Sequence, residues 1–180
     1  PNYPLPAWVW ADSVLDDAAV LLRRLHDASL PLAGLRDGWR SPVREPAEVV
    51  CHNDFAPYNL VFADGRLLGV IDFDFCSPGP RLWDLAYLAY RLAPLTGWTD
   101  AGGPADDARA ARLARLLASY GSDLAPAGLL PVVAERLRAL ADFSEAASVE
   151  LGTSELAEHA RIYRVDAERV AAGRLAPGSD

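Results

Sequence analysis

The chain has 180 residues, 51% of them hydrophobic and 23% charged, enough for one domain around one sizeable core. A net charge of −8 supplies no basic footprint for nucleic acid, and no apolar run approaches the roughly 18 residues of a membrane span. Two cysteines, Cys51 and Cys76, make no disulfide framework and no secretion-signal pattern opens the chain, so a reducing, cytoplasmic setting is expected.

In chain order, residues 1–11 begin with Pro1, Pro4 and Pro6, which bias the backbone away from helix and predict a linker from something upstream. Methionine is absent, so Pro1 is not expected to be a natural start. Val14, Leu15, Ala18, Leu22 and Leu25 recur at helical spacing, with Asp12 or Ser13 as cap and an end near Ala28. Residues 31–46 read as a loop. Val49–Cys51 is a brief strand, and residues 59–62 and 67–71 flank Asp64-Gly65, a hairpin signal. Residues 77–80 (Ser-Pro-Gly-Pro) read as a loop. Helices follow at 82–92 (stopped by Pro94 and Gly97), 106–120 (stopped by Gly121), 129–151 and 154–172. The expected class is mainly α with a small β region, α+β.

Chemistry concentrates between Cys51 and Asp84. His52, Asp54 and Asn59 form H-x-D-x-x-x-x-N, and an apolar strand then ends in Asp72. That is the order and spacing of a phosphate-transferring loop and its following metal-binding aspartate. A two-residue turn at Asp64-Gly65 pairs Ala63 with Arg66 and, counting back, Asn59 with Val70. Asp72 then shares a face with Asn59, one diagonal step of about 7–8 Å away. A shift of register by one would place them on opposite faces. A carboxylate and an amide oxygen suit Mg²⁺, a hard cation that takes oxygen ligands. Asp54 stands where it can accept a substrate hydroxyl proton, and His52 is expected to hold the loop by hydrogen bonds. Each residue also has a plainer reading: Asp and Asn cap turns, and a His beside an apolar strand is commonly a bonded structural residue.

The run Cys51–Asn59 (CHNDFAPYN) resembles the corresponding loop of the aminoglycoside phosphotransferase and choline kinase family. Gly69–Phe73, Gly79–Tyr87 and Leu22–Asp27 resemble its metal-binding strand, the helix after it and the helix leading into the catalytic lobe. The likeness covers about residues 6–95, and its wording is similar to bacterial members of phosphotransferase or trifolitoxin-immunity-like type. The resemblance implies the C-terminal lobe of a protein-kinase-like fold over residues 12–180. It implies ATP or GTP with Mg²⁺ as cofactors, Asp54 as base, and Asn59 and Asp72 as metal and cofactor ligands. It also implies a hydroxylated small-molecule substrate, and Asp84 as a buried anchor for the loop backbone, where a helix N-cap is the plainer role.

The sequence also departs from that family. Asn53 replaces the usual glycine between His and Asp, so a different loop backbone is expected. Asp74 stands where protein kinases carry the glycine of D-F-G, and is read as a solvated loop carboxylate or an extra ligand. No lysine is present: all 17 basic residues are arginine. A nucleotide-gripping lysine and glycine-rich loop are thus expected in an N-terminal lobe outside this chain. Without them, a catalytically inactive binding or immunity module is the second reading. Asp142, Glu145, Glu150, Glu155 and Glu158 give the late helices an acidic bias that would suit a polyamine or aminoglycoside, or would simply be a solvated surface. A third reading takes Asp72-Phe73-Asp74 as the D-x-D of an aspartate-nucleophile phosphatase, which calls for alternating strands and helices.

Overall fold

The computed structural model describes residues 5–95 and 103–174. The first four residues of the expected linker and Gly97 lie outside the described residues. In order come a 3₁₀ turn (Ala7–Trp10), α1 (Asp12–Ser29), β1 (Val49–Cys51), β2 (Leu60–Ala63), β3 (Arg66–Val70), β4 (Ser77–Gly79), α2 (Arg81–Leu92), α3 (Arg109–Tyr120), α4 (Pro126–Leu151) and α5 (Ser154–Ala171). This is the expected α+β class, with two two-stranded antiparallel sheets, β1–β4 and β2–β3, among five α-helices in the described residues. No parallel, doubly wound sheet is among them, which removes the basis of the D-x-D phosphatase reading. No described helix is long and apolar enough to cross a membrane.

The helix ends follow local chemistry. Gly121 and Gly152 stop α3 and α4 at φ 79° and 66°, a left-handed conformation that costs glycine nothing. α1 starts at Asp12 with no side-chain cap, unlike the expectation for Asp12 or Ser13. Asp12 instead bonds Arg112 and Arg115 of α3, and its charge favours the positive end of the helix dipole. α2 is the centre of the molecule: nine of its 12 residues are buried, Leu85, Leu88 and Leu92 completely. A helix with this much apolar surface must be packed on most of its sides, and its polar residues are Arg81, Asp84 and Arg91 beside the tyrosine hydroxyls.

Two expectations about the strands are corrected. Residues 77–79 are strand β4, not loop. Pro78 fits because this strand pairs on one side with β1, so its missing N–H breaks no ladder bond, while its carbonyl accepts from Arg44 N at 2.9 Å. In the other sheet, the turn is as read: Asp64 (φ 50°) and Gly65 (φ 72°) join Ala63 to Arg66. But a bulge intervenes. Phe62 pairs with Leu67 and Val61 with Gly69, leaving Leu68 over, so Leu60, not Asn59, faces Val70. Asn59 lies in a short 3₁₀ turn (Pro57–Asn59), and its carbonyl accepts from Ile71 N at 3.0 Å. The counted register was therefore off by one.

Candidate active site

β1 delivers the chain at Cys51 to a tight loop over the first turn of α2. There Asp84, fully buried, accepts His52 N at 2.6 Å and Asn53 N at 2.8 Å. Of the two roles expected for Asp84, the structure has the anchor; the N-cap position is Pro80. His26 of α1 lies 3.2 Å from the same carboxylate through Nε2, and Tyr120 of α3 lies 2.7 Å from His26 Nδ1. With Nε2 donating to Asp84, Nδ1 is left to accept from the Tyr120 hydroxyl. Burial pushes the Asp84 carboxyl up, but the bonds from His26 and His52 outweigh it and hold it below the ordinary range.

The sequence named His26 only through resemblance and gave no sign of Tyr120, because this chain of bonds spans three helices. His26, Cys51 and Asp84 also cluster like metal ligands. Yet Asp84 is taken up by its three donors, and burial drives the Cys51 thiol far up, keeping it protonated. The cluster is structural.

Asn53 sits at φ 64°, a left-handed backbone that suits glycine and that Asn tolerates better than most residues. Its Nδ2 donates to Phe75 O at 2.8 Å and Ser77 Oγ at 2.9 Å. These bonds offset the backbone cost, so the loop makes with asparagine a turn that a glycine would also make.

Asp54 follows, half-buried and facing a cleft. Its Oδ1 accepts from the Tyr58 hydroxyl at 2.5 Å and its Oδ2 from Asn59 Nδ2 at 2.9 Å. Burial pushes its carboxyl above the ordinary range, with the Tyr58 and Asn59 bonds pulling back. Asn59 is buried, and since Nδ2 is committed to Asp54, Oδ1 is its remaining acceptor. His52 is completely buried. Asp54 N donates to its Nδ1 at 3.2 Å, so its Nε2 donates to Ile71 O at 3.0 Å.

Ile71 is thus gripped on both sides, by Asn59 and His52, and Asp72 comes next. Asp72 is exposed at φ 66° and leaves the strand, so the strand-face count does not reach it. Its carboxylate and the Asn59 oxygen are hard donors that fit Mg²⁺ in kind. A non-glycine residue held at positive φ is the backbone strain that collects at ligand sites. Asp74 is exposed and bonded to Arg40 at 2.8 Å, the solvated carboxylate of the two roles expected for it.

The cleft, about 270 Å³, is enclosed by the 52–59 loop, α2, α4 and α5. Asp54, Tyr58, Tyr87, Trp83 and Arg136 line it, with Phe143 and Tyr163 from the late helices. Among the described residues, Asp54 is the one carboxylate in the lining. The acidic bias of α4 and α5 lies elsewhere: Asp142 and Glu145 pair with Arg164, and Glu158 with Arg161. These side chains are exposed, as a solvated surface requires.

The phosphotransferase enzyme family matches residues 16–129, most of the chain, and the chain belongs to that family. It is 29% identical over 91 residues to the trifolitoxin immunity protein of Rhizobium leguminosarum bv. trifolii. That match takes in 48% of this chain and 35% of the relative, so the chain spans about a third of the relative's length. No solved structure matches.

Proposed function

We propose that this chain is the C-terminal lobe of a kinase-like phosphotransferase, moving the γ-phosphate of ATP or GTP to a hydroxyl of a small molecule in the cytoplasm. One observation carries the reading. A half-buried carboxylate, Asp54, faces a cleft while bonded to Asn59, whose backbone is hydrogen-bonded to the residue before Asp72. Asp54 accepts the proton of the substrate hydroxyl. That oxygen forms the new bond to the γ-phosphorus, the bond from phosphorus to the β-phosphate oxygen breaks, and the nucleoside diphosphate leaves with the electron pair. A carboxyl pushed up by burial is a stronger base than an exposed one, which suits this task.

Asn59 and Asp72 would hold Mg²⁺, which supplies charge neutralisation on the phosphates. His52 and Asp84 position the loop without touching substrate. The nucleotide's remaining contacts come from an N-terminal lobe outside this chain. Phosphate transfer by the full-length polypeptide to a panel of hydroxylated acceptors tests this. Transfer should need a divalent cation and fall by about 10²–10⁴ in Asp54→Asn. Activity unchanged by that substitution removes Asp54 from the mechanism.

The second reading is an inactive immunity module, favoured by the similarity to an immunity protein. It predicts no metal-dependent ATP binding by calorimetry on the full-length polypeptide.

A further inference from the structure

The charge of the cleft differs from what a polyamine or aminoglycoside would need. Two guanidinium groups stack on Trp83: Arg44 at 4.1 Å from the ring centroid and Arg136 at 5.0 Å. Both residues line the cleft. Arg136 is 6% exposed, stacks also on Tyr87 at 5.1 Å, and donates through Nη2 to Asn53 O. Its Nε is buried without a hydrogen-bond partner. Neither arginine pairs with a carboxylate among the described residues.

Arg44 is pushed below the ordinary arginine range first by burial and then by the charge of Arg136, with exposed Glu135 acting weakly the other way. Two like charges thus face one cleft with no carboxylate at ion-pair distance from either among the described residues; Asp54 acts on Arg136, and Glu135 on Arg44, only at longer range. The carboxylate that does line it, Asp54, is already committed to Tyr58 and Asn59. The other titratable groups of the lining are Tyr58, Tyr87, Tyr163 and exposed His159. Phe143 and Tyr163 add aromatic surface to the lining.

We propose that the acceptor substrate carries a carboxylate or similar anionic group on a flat apolar body, the anion meeting Arg44 and Arg136 while the hydroxyl lies at Asp54. An anion there removes the repulsion between the arginines, and a planar guanidinium matches a carboxylate bidentately. A cation would meet two positive charges. The proposal takes the reacting hydroxyl from the phosphotransferase reading, but its charge preference stands apart from turnover.

The test is calorimetry, without nucleotide, using 4-(hydroxymethyl)benzoate and 4-(hydroxymethyl)benzylamine, which share ring and hydroxyl and differ in charge. The benzoate should bind at least about tenfold tighter. Arg44→Glu should abolish or reverse that preference, and Arg44→Lys should keep it, with circular dichroism confirming that both fold. Equal or tighter binding of the amine, binding of neither probe, or a preference unmoved by Arg44→Glu overturns the proposal. The two readings fail separately. Anion preference with no phosphate transfer by the full-length polypeptide to any acceptor of the panel removes the phosphotransferase and leaves the charge preference of the cleft standing; transfer to the amine in preference to the benzoate removes this proposal alone.

Discussion

The 52–53 turn and the strand end at Asp72 are joined by the bond from His52 to Ile71 and the packing of His52 on Phe73, yet live in opposite environments. At His52 and Asn53 the backbone is held by a fully buried carboxylate that is itself held by α1 and, through His26, by α3. At Asp72 the chain is in solvent, flanked by Ile71 and Phe73 at 54% and 47% exposed. One side is pre-organised within the chain, where the proposed proton acceptor needs fixed geometry. The other keeps apolar surface and a carboxylate open, where the proposed cation would sit. Support and chemistry are thus separable in this molecule, and substitutions should sort by side.

Removing the buried anchor should have the largest effect on folding. Asp84→Ala leaves His26 and two loop N–H groups without their acceptor and should cost about 3–5 kcal/mol in urea unfolding. The pH dependence has a definite sign. A carboxyl lowered in the folded state stabilises above its unfolded pKa, and that stability is lost as pH falls through the folded value. The parent should lose stability on acidification in part through Asp84, and Asp84→Asn should show a flatter acid limb.

Asp54 should behave the opposite way. Its carboxyl is raised by burial, so its ionisation opposes folding, and stability falls as pH rises from its unfolded through its folded pKa. Asp54→Asn should remove that decline and be no less stable at neutral pH, while phosphate transfer is lost. Transfer by the parent should rise with pH through the raised pKa of Asp54.

Asp72→Gly sharpens the contrast further. It relieves a left-handed backbone at an exposed site, so thermal stability should hold or rise slightly, while Mg²⁺-dependent phosphate transfer is lost. A large stability loss would mean that the strand end is as built-in as the anchor. The smallest effect belongs to the acidic surface: Arg164→Ala breaks exposed pairs with Asp142 and Glu145 and should change stability by less than about 1 kcal/mol.

What the sequence made legible was local. Asp64-Gly65 and Gly121 announce backbone conformations that only a few residues accept, and the turn and the stop of α3 fall there. His52, Asp54 and Asn59 lie within one loop, so spacing alone brings them together. The bulge at Leu68 was not legible, since nothing in an apolar strand marks which residue is left over, and it moved the register by one. β4 was hidden by its proline, because the sequence does not say that this strand pairs on one side. The Asp84–His26–Tyr120 chain and the stacking of Arg44 and Arg136 on Trp83 join distant segments, so residue spacing gave no sign of either.

The central claim is that Asn59 and Asp72 share one cation beside Asp54. Paramagnetic broadening by Mn²⁺ in the presence of ATP, read on the Asn59 side-chain amide and the Asp72 backbone N–H, tests it most directly. Both signals should broaden together at substoichiometric Mn²⁺, ahead of the exposed carboxylates of α4 and α5. Broadening at those helices with Asn59 untouched would contradict the account.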